Sequence, residues 1–199
     1  MAELLADMAA VLFRVRDTGV LSQLIVNECC RMFHTPGAIL HRLGPLPKNV
    51  PRVAVSEAAA SEAEAHLSLA EGLEIVGLEI VGLEMGEPTP FTTADLLAEL
   101  RIRSEPGMRV QVERMAFRAV LWVPLVLDDL VVGRLGLLDR PGRIFTKDEA
   151  GLAQRVARQA ALALENAGLH EEAGRLKARH PQWQGRADSV SDSPSSVIW

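Results

Sequence analysis

Few side chains in this sequence combine the type and the spacing that chemistry requires. Cys29 and Cys30 are the only cysteines, adjacent on a stretch of helical periodicity, with no distant thiol to pair with either. That usage predicts reduced thiols and a cytoplasmic setting. The histidines, His41 and His66 among them, are scattered without the spacing of zinc ligands. One histidine could serve as a haem ligand, but a lone histidine is more often solvated or packed in a core. Asp128-Asp129 lies between two apolar runs and suits a tight turn better than a general acid–base pair. No G-x-S-x-G, H-E-x-x-H or phosphate-cradling glycine loop occurs. With no nucleophile–base constellation, the sequence predicts a protein that is not an enzyme.

Charge is more informative in its distribution than in its sum. The net charge of −5 gives no reason to expect nucleic-acid binding. Between Arg52 and Arg101 there is no Lys or Arg, while acids recur from Glu57 to Glu99. The sign then reverses through Arg101, Arg103, Arg109, Arg114 and Arg118. Runs of this kind usually form solvated faces, here two that attract each other. No apolar run approaches the roughly 20 residues that span a bilayer, so no membrane association is expected. Met1 to Asp7 carries two acids before any base, unlike an export signal.

The elements that position these residues follow from periodicity. Leu4 to Phe33 reads as helix broken near Gly19, with Leu21, Leu24, Ile25, Cys29, Met32 and Phe33 along one apolar stripe. Thr35-Pro36-Gly37 stops it. Ala38 to Leu43 reads as a strand, and Arg52 to Val55 as a second. Ser56 to Ala70 is rich in helix formers, and GLEIV then occurs twice from Gly72, a local duplication rather than a repeat architecture. Thr92 or Thr93 can cap a short helix from Asp95 to about Ile102. Ala119 to Asp139 is a hairpin of two apolar strands around Asp128-Asp129. Pro124 suggests an edge position or bulge within it, and Gly133 and Gly136 suggest a bulge or a close approach. Thr146 and Glu149 have capping-box spacing at the start of an alanine-rich final helix, in which Glu171 and Arg175 can pair. Pro181 to Trp199 has the composition of a disordered tail.

Three of these segments resemble the GAF domain family. Phe117 to Leu125 (FRAVLWVPL) is similar to its penultimate strand, Val131 to Leu137 (VVGRLGL) to the next, and Phe145 to Ala167 to its last helix. GEP at 86–88 and ADL at 94–96 resemble the middle of the domain. The resemblance implies an α+β fold: a central antiparallel sheet, GAF/PAS-like, with the N- and C-terminal helices on one face and a ligand pocket roofed by mid-chain helices on the other. It assigns 1–16 to a helical extension, 17–172 to the GAF domain and 173–199 to the helix end and tail. Asp139-Arg140, Phe145 and Asp148-Glu149 fall near the positions of a cyclic-nucleotide pattern, with its Asn and Lys replaced and its spacing one residue short. Arg140 is expected to pair with Asp148. Cys29 and Cys30 lie away from where bilin-binding members attach their chromophore. No cofactor is named by these residues.

Two functions remain open under the resemblance. In the first, the domain is a sensor that binds a small molecule and signals through its terminal helices in a homodimer to a separate effector protein. His41, Asp95, Arg101 and Trp122 are the expected ligand contacts, with Arg101 steering an anion. In the second, side chains fill the pocket and the protein is a dimerisation or adaptor module.

Overall fold

A computed structural model describes residues 10–44, 46–56, 89–99 and 106–179. Helix α1, Thr18–Phe33, starts where Asp17 leaves helical geometry and its carboxylate accepts the Val20 amide. A short helical segment ending at residue 12 precedes it, so the break falls at 13–17 and Gly19 sits inside the first turn of α1. His34, at φ 52°, closes the helix in the left-handed region. The predicted stripe is the buried one: Leu21, Ile25, Cys29 and Phe33 are inaccessible or nearly so, with Leu24 and Met32 at its border.

Strand β1 (Gly37–Arg42) follows, then β2 (Val53–Val55) and β3 (Phe91–Thr93). Past a 3-10 turn at Leu96–Ala98 come helix α2 (Pro106–Glu113) and the long strands β4 (Ala119–Leu127) and β5 (Leu130–Asp139). The last described element is helix α3, Lys147–Arg179. The five strands form one antiparallel sheet in the order β2-β1-β5-β4-β3. The predicted hairpin is thus its centre. Asp128 and Asp129 both take positive φ (45° and 65°), the primed turn whose twist matches the strands. Pro124 needs no amide partner on its outer side, because β3 reaches only Val120–Trp122 of β4. The bulge lies across from it on β5: Leu125 pairs with Gly133 but Val126 with Val131, leaving Val132 unmatched.

Both faces of the sheet are covered. On one, α1 and α3 bury Ala38, Leu40, Leu121, Val123, Leu135 and Leu137. Ala153, Ala157, Ala160, Ala161 and Ala167 let α3 approach β4 closely, as the small-residue face predicts. The capping box forms as expected: Thr146 N donates to Glu149 Oε2 (2.7 Å), and Glu149 N to Thr146 Oγ1 (3.2 Å). On the other face Ile39, Val120, Trp122 and Leu138 pack with Leu96, Val112 and Phe117.

One expectation differs in detail. The helix expected from Asp95 is a 3-10 turn capped by Asp95 itself. Gly168 and Gly174 lie inside α3, which runs on to Arg179. The Ser56–Ala70 helix, apart from Ser56, the GLEIV duplication, Arg101 and the C-terminal tail lie outside the described residues.

Candidate functional site

The sheet face away from α1 and α3 carries the candidate site, and strand alternation decides what reaches it. On β1 that face receives Ile39 and His41, on β5 Arg134, Gly136 and Leu138, and on β4 Val120, Trp122 and Pro124. Register sets them in rows. Val53, His41, Arg134 and Pro124 lie side by side across four strands, and Val55, Ile39, Gly136, Trp122 and Phe91 form the next row.

Trp122 fits only because its neighbour is glycine. A Cβ at Gly136 would lie 2.7 Å from Trp122 Cζ3 and 2.8 Å from Ile39 Cγ2, so the indole rests on bare backbone. Gly133 is required in the same way, since its Cβ would meet the His41 carbonyl oxygen at 2.6 Å. The indole is 3% exposed, and its Nε1 donor has no hydrogen-bond partner among the described residues. A buried donor in that state costs on the order of 1–3 kcal/mol until an acceptor meets it.

Two basic side chains share this floor. His41 and Arg134 are direct cross-strand partners, each 7% exposed. Side chains so placed are about 5 Å apart at Cβ. Burial pushes the Arg134 guanidinium below its usual value. Around an apolar base, Arg134 and the Trp122 Nε1 offer hydrogen-bond donors only, and His41 offers a donor or an acceptor.

His41 and Trp122, both predicted contacts, are therefore on the same sheet face. Asp95 lies at its rim and is already engaged. Its Oδ1 accepts the Leu97 amide at 3.0 Å and Arg118 Nε at 3.0 Å. With Leu96 N donating to the Arg118 carbonyl at 2.8 Å, that pair fixes the 3-10 turn to the start of β4. It also joins the acidic and basic segments. Arg134 was missed by sequence reasoning. Its signal was present: it is the one charge within the apolar run LVVGRLGLL.

Arg143 gathers several of the residues that fall near the cyclic-nucleotide pattern. Arg143 pairs with Asp139 at 3.7 Å and with Glu149, and sits 5.4 Å from the centre of the Phe145 ring. Phe145 is packed into the helix-side core. Among the described residues, no three His, Cys, Asp or Glu gather as metal ligands, and no helix is long and apolar enough to cross a membrane.

A five-stranded antiparallel sheet with its terminal helices on one face defines an α+β domain of GAF type, and the comparisons with known proteins agree. The GAF domain profile matches residues 17–164, and the chain belongs to that family. Among solved structures, the GAF domain of a phosphoenolpyruvate-protein phosphotransferase from Acinetobacter superposes with a TM-score of 0.57 at 17% identity, covering 83% of this chain and 93% of that one. The corresponding domain from Coxiella burnetii gives 0.56 at 16%, covering 86% and 96%. The GAF domain of the cyanobacteriochrome TePixJ gives 0.55 at 17%, covering 79% and 95%. At these identities the likeness speaks for the fold. No curated protein matches the sequence.

Proposed function

We propose that this chain is a non-catalytic sensory module. It takes a small molecule on the sheet face that carries His41, Arg134 and Trp122, and it passes the state of that site through its terminal helices in a homodimer. Its output is a separate effector protein in the cytoplasm. One observation carries the reading: a buried donor of Trp122 faces no acceptor among the described residues, beside two basic groups, on a floor otherwise made of apolar side chains. A core built only for stability gains nothing from that arrangement, whereas a site that recognises a ligand with acceptor groups uses it. Arg101, in the basic segment, remains a proposed contact that steers anions.

A route from this face to the helices supports the reading. Beyond His41 and Arg42, the chain from β1 to β2 crosses to the helix side, where Leu46 and Val50 enter the core. There the Asn49 side chain donates to the Gly168 carbonyl (3.2 Å) and to Glu171 Oε2 (2.9 Å), both on α3. Glu171 Oε1 in turn accepts the Thr18 amide at the start of α1, at 2.6 Å. A shift of the His41 strand thus bears on both terminal helices through one connection.

Thermal denaturation across a broad metabolite library tests the proposal. A ligand at a hundred times its Kd should add about 2.7 kcal/mol of stability, or roughly 5–10 °C for a domain of this size. The shift should shrink in Trp122→Phe, which keeps an aromatic ring and deletes the donor. If nothing in the library raises the melting temperature while light scattering shows a dimer, the ligand-free adaptor reading replaces this one.

A further inference from the structure

The polar groups on the site face of the sheet narrow what it can hold. Trp122 and Gly136 are cross-strand partners, and Pro124 and Arg134 form the next pair on the same face. Trp122 and Arg134 are therefore diagonal neighbours, within about 7–8 Å at Cβ. The indole meets the backbone at Gly136 with its Cε3–Cζ3 edge. Nε1 lies across the ring from that edge, so the donor is turned away from the strand beneath it. It is buried and meets no acceptor among the described residues.

Arg134 adds a full charge to that donor. A guanidinium presents five N–H groups in a planar fork, enough to hold a two-oxygen acceptor beside any protein group that it also meets. Burial disfavours its charged form, and an anion within hydrogen-bond distance favours it. Asp95 and Glu113, on the elements that cover this face, are already paired, with Arg118 at 3.0 Å and Arg109 at 2.8 Å. A neutral amide or ketone would satisfy the indole donor and add nothing to the guanidinium. A phosphate monoester would bring two negative charges to a floor on which Arg134 is the permanent cation among the described residues, and buried charge in excess is costly. The remaining surroundings are apolar. Val53, Val55 and Phe91, on the outer strands, are only half-buried there and can cover an apolar body.

We infer that the ligand of this face is a monocarboxylate with an apolar body, its carboxylate accepting hydrogen bonds from both Trp122 Nε1 and the Arg134 guanidinium. The inference rests on the reading of this face as a ligand site and adds the chemical class of what it takes.

Matched probes of one shape test the charge. Benzoate, phenylacetate and 4-methylpentanoate, the primary amide of each, and phenyl phosphate are titrated into the full chain by calorimetry at fixed ionic strength. At least one carboxylate should bind about tenfold more tightly than its amide, the worth of a charge-assisted hydrogen bond, and more tightly than phenyl phosphate. In Arg134→Gln that carboxylate should fall to the level of its amide, while the amide binds as before. Equal weakening of acid and amide would refute the pairing. Arg134→Lys keeps the charge without the fork; it should retain a smaller preference for the acid, and it carries the test if the glutamine variant fails to fold. Amides that bind as tightly as their acids, or a preference that survives Arg134→Gln, would overturn the carboxylate assignment and leave the ligand site standing. Tighter binding of phenyl phosphate would overturn it in favour of a phosphoryl group. If no probe binds while a neutral metabolite raises the melting temperature in a Trp122-dependent way, the chemical class alone is refuted. If no compound of any class binds, the site reading falls with it.

Discussion

Two glycines six residues apart on α3 should respond to the same substitution with opposite sign. Both lie inside one helix, where replacing glycine by alanine stabilises by roughly 0.5–1 kcal/mol through backbone entropy alone. Gly174 faces open space, with no atom within 4 Å of an added Cβ. Gly174→Ala should show that intrinsic gain, reduced somewhat because the helix ends at Arg179. At Gly168 the new methyl would stand 2.7 Å from both Cβ and Cγ of Pro47. The proline ring is rigid and its segment is pinned, by Val50 N donating to the Pro47 carbonyl (2.9 Å) and by Asn49 donating to the Gly168 carbonyl (3.2 Å). Relief therefore requires moving the whole β1–β2 connection. Overpacking of this kind costs about 1–3 kcal/mol, which outweighs the helical gain and leaves a net loss of about 1–2 kcal/mol. The two variants should then differ by about 2 kcal/mol, or roughly 4–8 °C in melting temperature for a domain of this size. Parallel thermal and urea melts measure the split. If Gly168→Ala melts at or above Gly174→Ala, the loop does not bear on the helix as described, and the proposed route between sheet and helices loses its contact.

Two further outcomes follow from the same geometry. Bonds from Asn49, and then from Thr18, hold the Glu171 carboxyl below the usual carboxylate range against the opposing effect of burial. A depressed folded-state value means stability that is present above the ordinary carboxylate pKa and lost as pH falls through the depressed one. Glu171→Gln should therefore cost about 1 kcal/mol at pH 7, the worth of a helix cap. Urea midpoints of variant and wild type should converge once the pH falls below the depressed Glu171 value, as the wild-type carboxylate protonates. A gap that persists undiminished in acid would assign the loss to packing. The vicinal thiols should also separate. Burial, then its neighbours Cys30 and Glu28, pushes Cys29 far above the ordinary thiol range; Cys30 is raised by burial, an effect that the nearby Ser56 and Thr35 hydroxyls partly offset. Iodoacetamide at pH 7.5, followed by peptide mass spectrometry, should label Cys30 slowly and Cys29 only on unfolding. Labelling of Cys29 in native buffer at the rate of Cys30 would contradict its place in the core.

What the sequence made legible is what period and punctuation control. The central hairpin could be read because its apolar runs meet at Asp128-Asp129, a pair that tolerates the positive φ the turn needs. The capping box at Thr146 and Glu149 and the stripe from Leu21 to Phe33 were legible for the same reason: their partners lie within four residues. Features that depend on distant partners were not. The tight fit at Gly168 could not be read, because only the fold brings Pro47 against it. Asp95 looked free to meet a ligand, because Arg118 reaches it across 23 residues.

Arg134 shows why the candidate site was only half legible. Its type was visible as a lone charge in an apolar strand, but its direction depends on register, which changes by one residue at Val132. A one-residue slip sends every side chain to the opposite face. Counting alternate residues back from the turn at Leu130 would place Val132 and Arg134 on the same face, yet Val132 is buried against the helices while Arg134 stands beside His41. The bulge therefore does more than absorb an extra residue. It lets β5 continue the helix-side core through Val132 while bringing its only internal cation to the face that holds Trp122. Gly133 permits this, since any larger residue there would collide with the His41 carbonyl and part the two strands that carry the basic pair.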